Sequence, residues 1–233
     1  MKLISIVVCL FVLVSCNGIK GSGHIKKEER TVNSFDGLES SGSIDIDVKY
    51  GPSQLVEIEA DDNILQYVVT KIENGLLIVT YKPNMSFINT HVKAYVTTPS
   101  LDRIYSSGSA DIVSRDTLHD AKSIEVKVGG SGDIDAVVNA PSVTGDVSGS
   151  GNIQLHGLTR NFDLSVSGSG DAKCRDLMSE NTTVDVAGSG TAHVFASLKL
   201  TAKVSGSGDI IYSGNPSSPS IVKNGSGSVR SEK

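Results

Sequence analysis

The 233-residue sequence contains no tryptophan, and only 5% of it is aromatic. It has three cysteines and six prolines, and its 21 Lys and Arg are outnumbered by 26 Asp and Glu, for a formal net charge of −5. Each shortage excludes a class. Without a cationic excess the chain cannot neutralise a phosphate backbone, which removes the ordinary kind of nucleic-acid binder. Only one long apolar run exists, at residues 3–14. It is too short to cross a bilayer core of about 30 Å as a helix, so a polytopic membrane protein is excluded. Hydrophobic residues make up 38% and are regularly spaced, which argues against disorder. The length suits a single body.

Lys2 followed by the apolar run reads as a signal peptide over residues 1–15. Leu13-Val14-Ser15-Cys16 resembles the bacterial lipobox. The resemblance implies cleavage before Cys16, lipid on that residue, attachment to a membrane, and placement in the cell envelope on the outer membrane. Cys9 leaves with the signal, so Cys174 stands alone and no intramolecular disulfide framework can form. An inward repeat position makes Cys174 a small buried apolar residue. Residues 16–30, with Gly-Ser-Gly and three lysines, read as a flexible tether.

What the chain has in abundance is glycine, 24 residues, fourteen of them in seven Gly-Ser-Gly triplets. The last six triplets are Gly130/Gly132, Gly149/Gly151, Gly168/Gly170, Gly188/Gly190, Gly206/Gly208 and Gly225/Gly227, spaced 19, 19, 20, 18 and 19 residues apart. Gly108-Ser109-Ala110 and Gly42-Ser43-Ile44 are degenerate copies. Two residues before the triplets stand Val128, Val147, Val166, Val186 and Val204; four after the first glycine stand Ile134, Ile153, Ala172, Ala192 and Ile210. Polar residues fill the positions between. Period-two alternation on both sides of a fixed corner describes strands with one buried face.

Repetition at about 19 residues then requires each coil to stack on the last at the strand spacing of about 4.8 Å. The expected architecture is all-β: a single-stranded parallel β-helix over residues 106–233, cornered by Gly-Ser-Gly. In this reading glycine serves the corner through positive φ and close backbone approach, and the thin core of Val, Ile and Ala leaves no room for aromatic rings. Coil lengths do not keep to multiples of six, against a left-handed hexapeptide helix. In Gly129-Gly130-Ser131-Gly132-Asp133 the Asp falls one residue early for a calcium-binding nonapeptide roll.

Residues 31–105 read as antiparallel strands elaborating the first coils, within one continuous body over 31–233. Ile44, Ile46 and Val48, the turn Tyr50-Gly51-Pro52-Ser53, then Val56, Ile58 and Ala60 have the grammar of a hairpin. Asp61-Asp62-Asn63 suggests the N-cap of one helical turn, and Asn74-Gly75 marks a second hairpin.

No Walker loop, zinc spacing, nucleophile elbow or dinucleotide fingerprint is present, and no cofactor is implied. The five histidines read as solvated surface. The sharpest candidate site is the position three after the first glycine: Asp133, Asn152, Asp171, Thr191, Asp209 and Ser228. Such a ladder suits cation binding or the acid cluster of a polysaccharide lyase or hydrolase. Neutral residues alternate with the acids, however, setting the carboxylates about 9.6 Å apart, beyond the roughly 5–9.5 Å of a catalytic pair. These residue types also cap tight turns by bonding local amides. Asp116-Thr117-Leu118 resembles a short O-glycosylation motif of exported Bacteroidetes proteins.

The lipobox, the Phe35-Asp36-Gly37-Leu38 opening, Ser41-Gly42-Ser43-Ile44-Asp45-Ile46 and the Gly-Ser-Gly-Asp-Ile runs together resemble the head GIN domain family of autotransporter-adhesin-like proteins, abundant in Bacteroidetes, over roughly residues 30–230. The resemblance implies a right-handed, pectin-lyase-like solenoid, no catalytic residues and a role in adhesion. The expected function is therefore a non-enzymatic envelope lipoprotein that presents a repetitive face to a glycan or protein ligand. A periplasm-facing scaffold or sensor is the alternative, since no acidic run directly follows Cys16. An oligomer is compatible with the chain, although no coiled-coil heptads are present.

Overall fold

The computed structural model describes residues 18–120 and 122–232. The signal peptide and Cys16 lie outside these residues. The described chain is all-β, with a β-solenoid of about six turns preceded by antiparallel strands.

Each regular coil is one long bent strand and one glycine corner. Ile134–Val147 pairs in parallel with Ile153–Val166 along its whole length, Ile134 to Ile153 and Val147 to Val166. The two halves of such a strand lie on opposite flanks. One flank stacks Gly37–Ser41, Arg103–Ser106, Ser123–Val128, 142–147, 161–166, 181–186, Lys199–Val204 and Ser220–Lys223. The other stacks Asp45–Tyr50, Ile112–His119, 134–139, 153–158, Ala172–Cys174, Thr191–Phe195, Asp209–Ser213 and Val229–Ser231. The predicted inward positions are buried between the flanks, Cys174 among them.

The corners overturn half of the expected reason for glycine. Apart from Gly225, whose φ of 159° is extended backbone, the six repeat triplets hold no positive-φ glycine. What they need is proximity. The carbonyl of a triplet's first glycine accepts the serine amide of the next coil: Ser150 N donates to Gly130 O at 2.9 Å, and Ser169 N to Gly149 O at 3.0 Å. A Cβ on Gly149 or Gly168 would overlap the carbonyl oxygen of the glycine one coil earlier.

The second glycines differ from the first in a way that the sequence does not announce. Gly132, Gly151, Gly170, Gly190, Gly208 and Gly227 are buried rather than exposed at the tip of a turn. A Cβ on Gly190 would meet the Gly170 carbonyl oxygen, one on Gly208 that of Gly190, and one on Gly227 that of Gly208. Valine Cγ1 atoms close the space from inside, Val186 against Gly208 and Val204 against Gly227. Gly190, Gly208 and Gly227 are thus core packing positions, where the absent side chain and not the backbone angle is what counts. The serines between the paired glycines are exposed. Positive φ matters instead at the Asn74-Gly75 turn (φ 52° and 75°), which closes the hairpin of Val68–Glu73 and Leu76–Tyr81.

Aromatic exclusion from the core also fails. Phe162 is the largest fully buried side chain. Its ring lies 3.7 Å from where a Gly145 Cβ would stand. The room left by the absent side chain at Gly145, one coil earlier, is taken first by Leu164 Cδ1, 2.9 Å from that point, with the Phe162 ring in ordinary contact beside it.

The first coils depart most from expectation. Asp45–Tyr50 and Leu55–Asp61 do not pair as a hairpin: Val92–Thr98 lies between them, parallel to the first and antiparallel to the second. Gly37–Ser41 is likewise flanked by Leu76–Tyr81 and Arg103–Ser106, both parallel. The chain therefore lays down its second rung before its first and then crosses to the third. Within the expected tether, residues 19–29 are paired. Ile25–Glu29 runs antiparallel to Leu55–Asp61, and Lys27 meets Glu57 at 2.8 Å and Glu59 at 3.3 Å. A short, charged edge strand of this kind blunts further pairing. The helical turn is a 3-10 turn, Leu65–Tyr67, without a side-chain cap. Asp61 and Asn63 bond the N-terminal segment instead.

Because the glycine contacts are backbone to backbone, they cannot relax by a rotamer change. Gly151→Ala is expected to lose about 3 kcal/mol or more, or to prevent folding, whereas Ser150→Ala stays within about 0.5 kcal/mol of the parent. Urea unfolding of the two variants checks this, and parental stability in the Gly151→Ala chain would refute the stacking account.

Candidate functional site

The predicted ladder exists as a vertical series of hydrogen bonds along the glycine corners. Asp133 Oδ1 accepts the Asn152 amide at 2.8 Å, Asn152 Oδ1 the Asp171 amide at 2.9 Å, and Asp171 Oδ1 the Thr191 amide at 2.7 Å. Asp209 Oδ1 accepts both the amide and the hydroxyl of Ser228, at 2.8 and 2.7 Å. Two rungs precede those read from the sequence: Asp45 Oδ1 accepts the Asp111 amide and Asp111 Oδ1 the Asp133 amide, each at 2.9 Å. They stand three residues after Gly42 and Gly108, so the same offset in the degenerate copies is the signal that finds them. The amides served are not local, as turn capping requires, but belong to the next coil. The Ser228 hydroxyl, then its amide, holds the Asp209 carboxyl below its ordinary range.

A different cluster gathers on the outward side of the flank that carries Thr191–Phe195. Gln154, His156, Lys173, Arg175, Asp176 and His193 line one groove of about 280 Å³. Gln154 Nε2 lies 3.0 Å from His156 Nε2, which is 3.6 Å from Asp135, while His156 Nδ1 is 3.7 Å from Asp176. Arg175 pairs with Glu232 at 3.0 Å. In the sequence the two histidines fall on separate coils, and their convergence is not evident there. The available signal is the coil length. Gln154 pairs with Lys173 but Gly157 with Leu177, so the 20-residue coil carries its additional residue in the Arg175-Asp176 turn.

The following coil is 18 residues long and compensates at 195–199. The shortened chain leaves a notch of about 480 Å³ at the opposite bend, lined by Leu158, Met178, Arg160, Glu180 and Phe195 among others. Leu158, Met178 and Leu198 are exposed beside it.

Chemically, the groove joins two cationic side chains, two imidazoles and an amide to the Asp176 carboxylate, with Arg175 also engaged by Glu232, and the remaining cationic excess suits an anionic group. No hydroxyl or thiol stands among its lining side chains. Among the described residues no three His, Cys, Asp or Glu side chains are grouped to hold a metal ion. Cys174 is fully buried, and burial pushes its thiol up to about 12. The Asp116-Thr117-Leu118 motif lies where the Ile112–His119 strand shifts register, with Leu118 buried.

The fold and its corners define a class: stacked-rung β-solenoids with an antiparallel start. The model of the family described as "Putative auto-transporter adhesin, head GIN domain" matches residues 34–216, and the chain belongs to that family. Solved structures share the fold. A putative adhesin of Bacteroides fragilis superposes at a TM-score of 0.88, with 21% identity over 92% of this chain and 100% of its own. A putative lipid binding protein of Parabacteroides distasonis gives 0.73, with 25% identity over 92% and 99%. A putative adhesin of Parabacteroides merdae gives 0.71, with 21% identity over 93% and 99%. None of the curated proteins matches the chain.

If the ladder carboxylates serve amides, Asp171→Asn keeps the acceptor oxygen and stays near parental stability, while Asp171→Ala loses about 1 kcal/mol. Urea denaturation separates the two, and equal losses would refute the role. Asp209 adds a pH test. With its folded value depressed, its contribution is complete above the ordinary carboxylate range and is lost as pH falls through the depressed value. Hydrogen-exchange protection of the Ser228 amide should therefore fall in acid, and Asp209→Asn should remove that step.

Proposed function

We propose that the protein is a non-enzymatic, lipid-anchored recognition module of the cell envelope, working as an adhesin on the outer membrane. In this reading Cys16 carries the lipid. The solenoid flank binds a carboxylate- or sulfate-bearing ligand, on a glycan or a protein of another surface. The observation that carries it is the convergence of Lys173, Arg175, His156 and His193 in one groove, at the coil whose length departs from the repeat. The family's adhesin description and the two adhesin-named neighbours support the same reading. The ladder acids, each engaged with an amide, offer no free carboxylate pair for glycan cleavage.

The absence of an acidic run directly after Cys16 favours a second reading, a scaffold facing the periplasm. Protease treatment of intact cells, with a periplasmic control, decides between them: rapid loss of the solenoid supports the adhesin, and protection until the outer membrane is broken supports the scaffold. On an array of acidic and neutral glycans, the parent protein should retain acidic members. Lys173→Ala with Arg175→Ala should weaken that retention at least tenfold, without shifting the unfolding midpoint. Retention unchanged by the double substitution would remove the groove from the proposal.

A further inference from the structure

The N-terminal segment joins the body almost at once. Gly18 packs against the Ile88 side chain, and Ile19–Lys20 pairs in parallel with Phe87–Ile88. The Ile19 amide donates to Ser86 O at 2.8 Å. Buried Asp61 then staples the next stretch of chain, accepting the amides of Gly23 and of His91, each at 2.7 Å. Asn63 accepts the Ser22 amide at 3.0 Å and donates to Lys20 O at 2.8 Å. Two peptide steps separate Cys16 from Gly18, and a chain covers at most about 3.6 Å per residue, or roughly 7 Å here. If the acyl chains of Cys16 lie in a bilayer, this corner of the body has no slack with which to stand away from it.

The surface at that corner has the composition of an interfacial element. Met85 and Ile88 are 43% and 45% exposed. Phe87 is half-buried, its ring 5.8 Å from that of Tyr67 and 4.6 Å from that of Tyr81. Lys20 and Lys82 are exposed beside these residues, and Lys82 Nζ stands 5.8 Å from the centre of the Tyr67 ring. Apolar tips, a ring cluster and flanking lysines are what a headgroup layer accommodates: the tips enter the acyl boundary while ammonium groups reach phosphates.

We propose that the 82–89 loop together with Ile19–Lys20 is a bilayer-seating surface. Met85, Ile88 and the edge of Phe87 enter the headgroup region of the leaflet that holds the Cys16 lipid, and Lys20 and Lys82 contact its phosphates. The proposal rests on the lipid-anchor reading and goes beyond it, because a lipid alone leaves the body free to rotate. Seating fixes which end is distal. From Val92–Thr98, beside this corner, to Val229–Ser231 there are eight successive strand pairings, or roughly 38 Å at about 4.8 Å each.

The full mature chain, purified from membranes and reconstituted into phosphatidylethanolamine–phosphatidylglycerol vesicles, provides the test. A fluorophore is placed at Ile88→Cys or, at the other end, at exposed Val222→Cys; buried Cys174 does not compete for the label. Lipids carrying a quencher near the headgroup should quench the probe at position 88 several-fold more than the probe at 222. The mass of the N-terminal peptide reports acylation separately. An acylated Cys16 with equal quenching at the two positions, strong or absent, would overturn the seating and leave the anchor standing. An unmodified Cys16 would overturn both.

Discussion

Backbone lying on backbone at every corner is the constraint on which the rest of this molecule depends. A coil can stack at strand spacing only if its turn occupies the same place as the turn before it, and here the contact leaves no room for a Cβ. The amide bonds between successive corners run in the same direction as the strand ladders. Once the corners are fixed, the flanking residues are forced into register, so Val147 sits over Val128 and under Val166. The Asp and Asn rungs extend this registry outward by one side chain. They give the exposed edge side-chain acceptors for the Asn152, Asp171, Thr191 and Ser228 amides at the sharp turns.

Strict registry makes departures from it informative. A coil one residue longer than its neighbours must put that residue somewhere, and the inward positions cannot move without opening the core. The surplus therefore goes to the surface, at Arg175-Asp176, and the next coil shortens in compensation. Concave surface adjoins both irregularities: a charged groove at the longer coil and a notch beside exposed Leu158 and Met178 at the shorter one. The groove on which the proposed recognition rests thus lies where the repeat is imperfect.

Repeat positions were legible because one physical rule, inward alternation about a corner, acts on every copy. Val128 through Val204, Cys174 and the glycine corners all follow from it. The rule places the second glycine of each triplet without revealing its burial, since the carbonyl that excludes a side chain at Gly190 or Gly208 belongs to the coil before. Legibility ended where the rule is local and the outcome is not. Asp45–Tyr50 and Leu55–Asp61 carry a good turn between them, yet Val92–Thr98 pairs with both and separates them, and nothing in a hairpin's own residues reports a competitor more distant in the chain. The Gly-Ser-Gly at 21–23 misled in the same manner. Its composition is that of a linker, but a buried carboxylate from another strand, Asp61, fixes it. Phe162 was hidden because the room beside it and Leu164, where Gly145 of the preceding coil carries no side chain, is visible only when the coils are stacked. The charged groove needed both the stacking and the coil-length count.

The two ends of the stack are chemically unlike, and that difference gives the molecule a direction. At the start, antiparallel Ile25–Glu29 closes the ladder with an edge whose five residues include two lysines and two glutamates. At the finish, Ser220–Lys223 and Val229–Ser231 simply continue the parallel pairing, with Ile221 and Val222 exposed. A parallel rung with exposed apolar side chains is a template for another strand, in contrast to the charged first strand. Holding the opposite end against a membrane offers a different protection, since chains anchored by their first rung in one leaflet present their last rungs side by side rather than end to end. If the proposed seating holds, the charged strand lies on the membrane side of the stack, and the exposed Ile221 and Val222 point away from it.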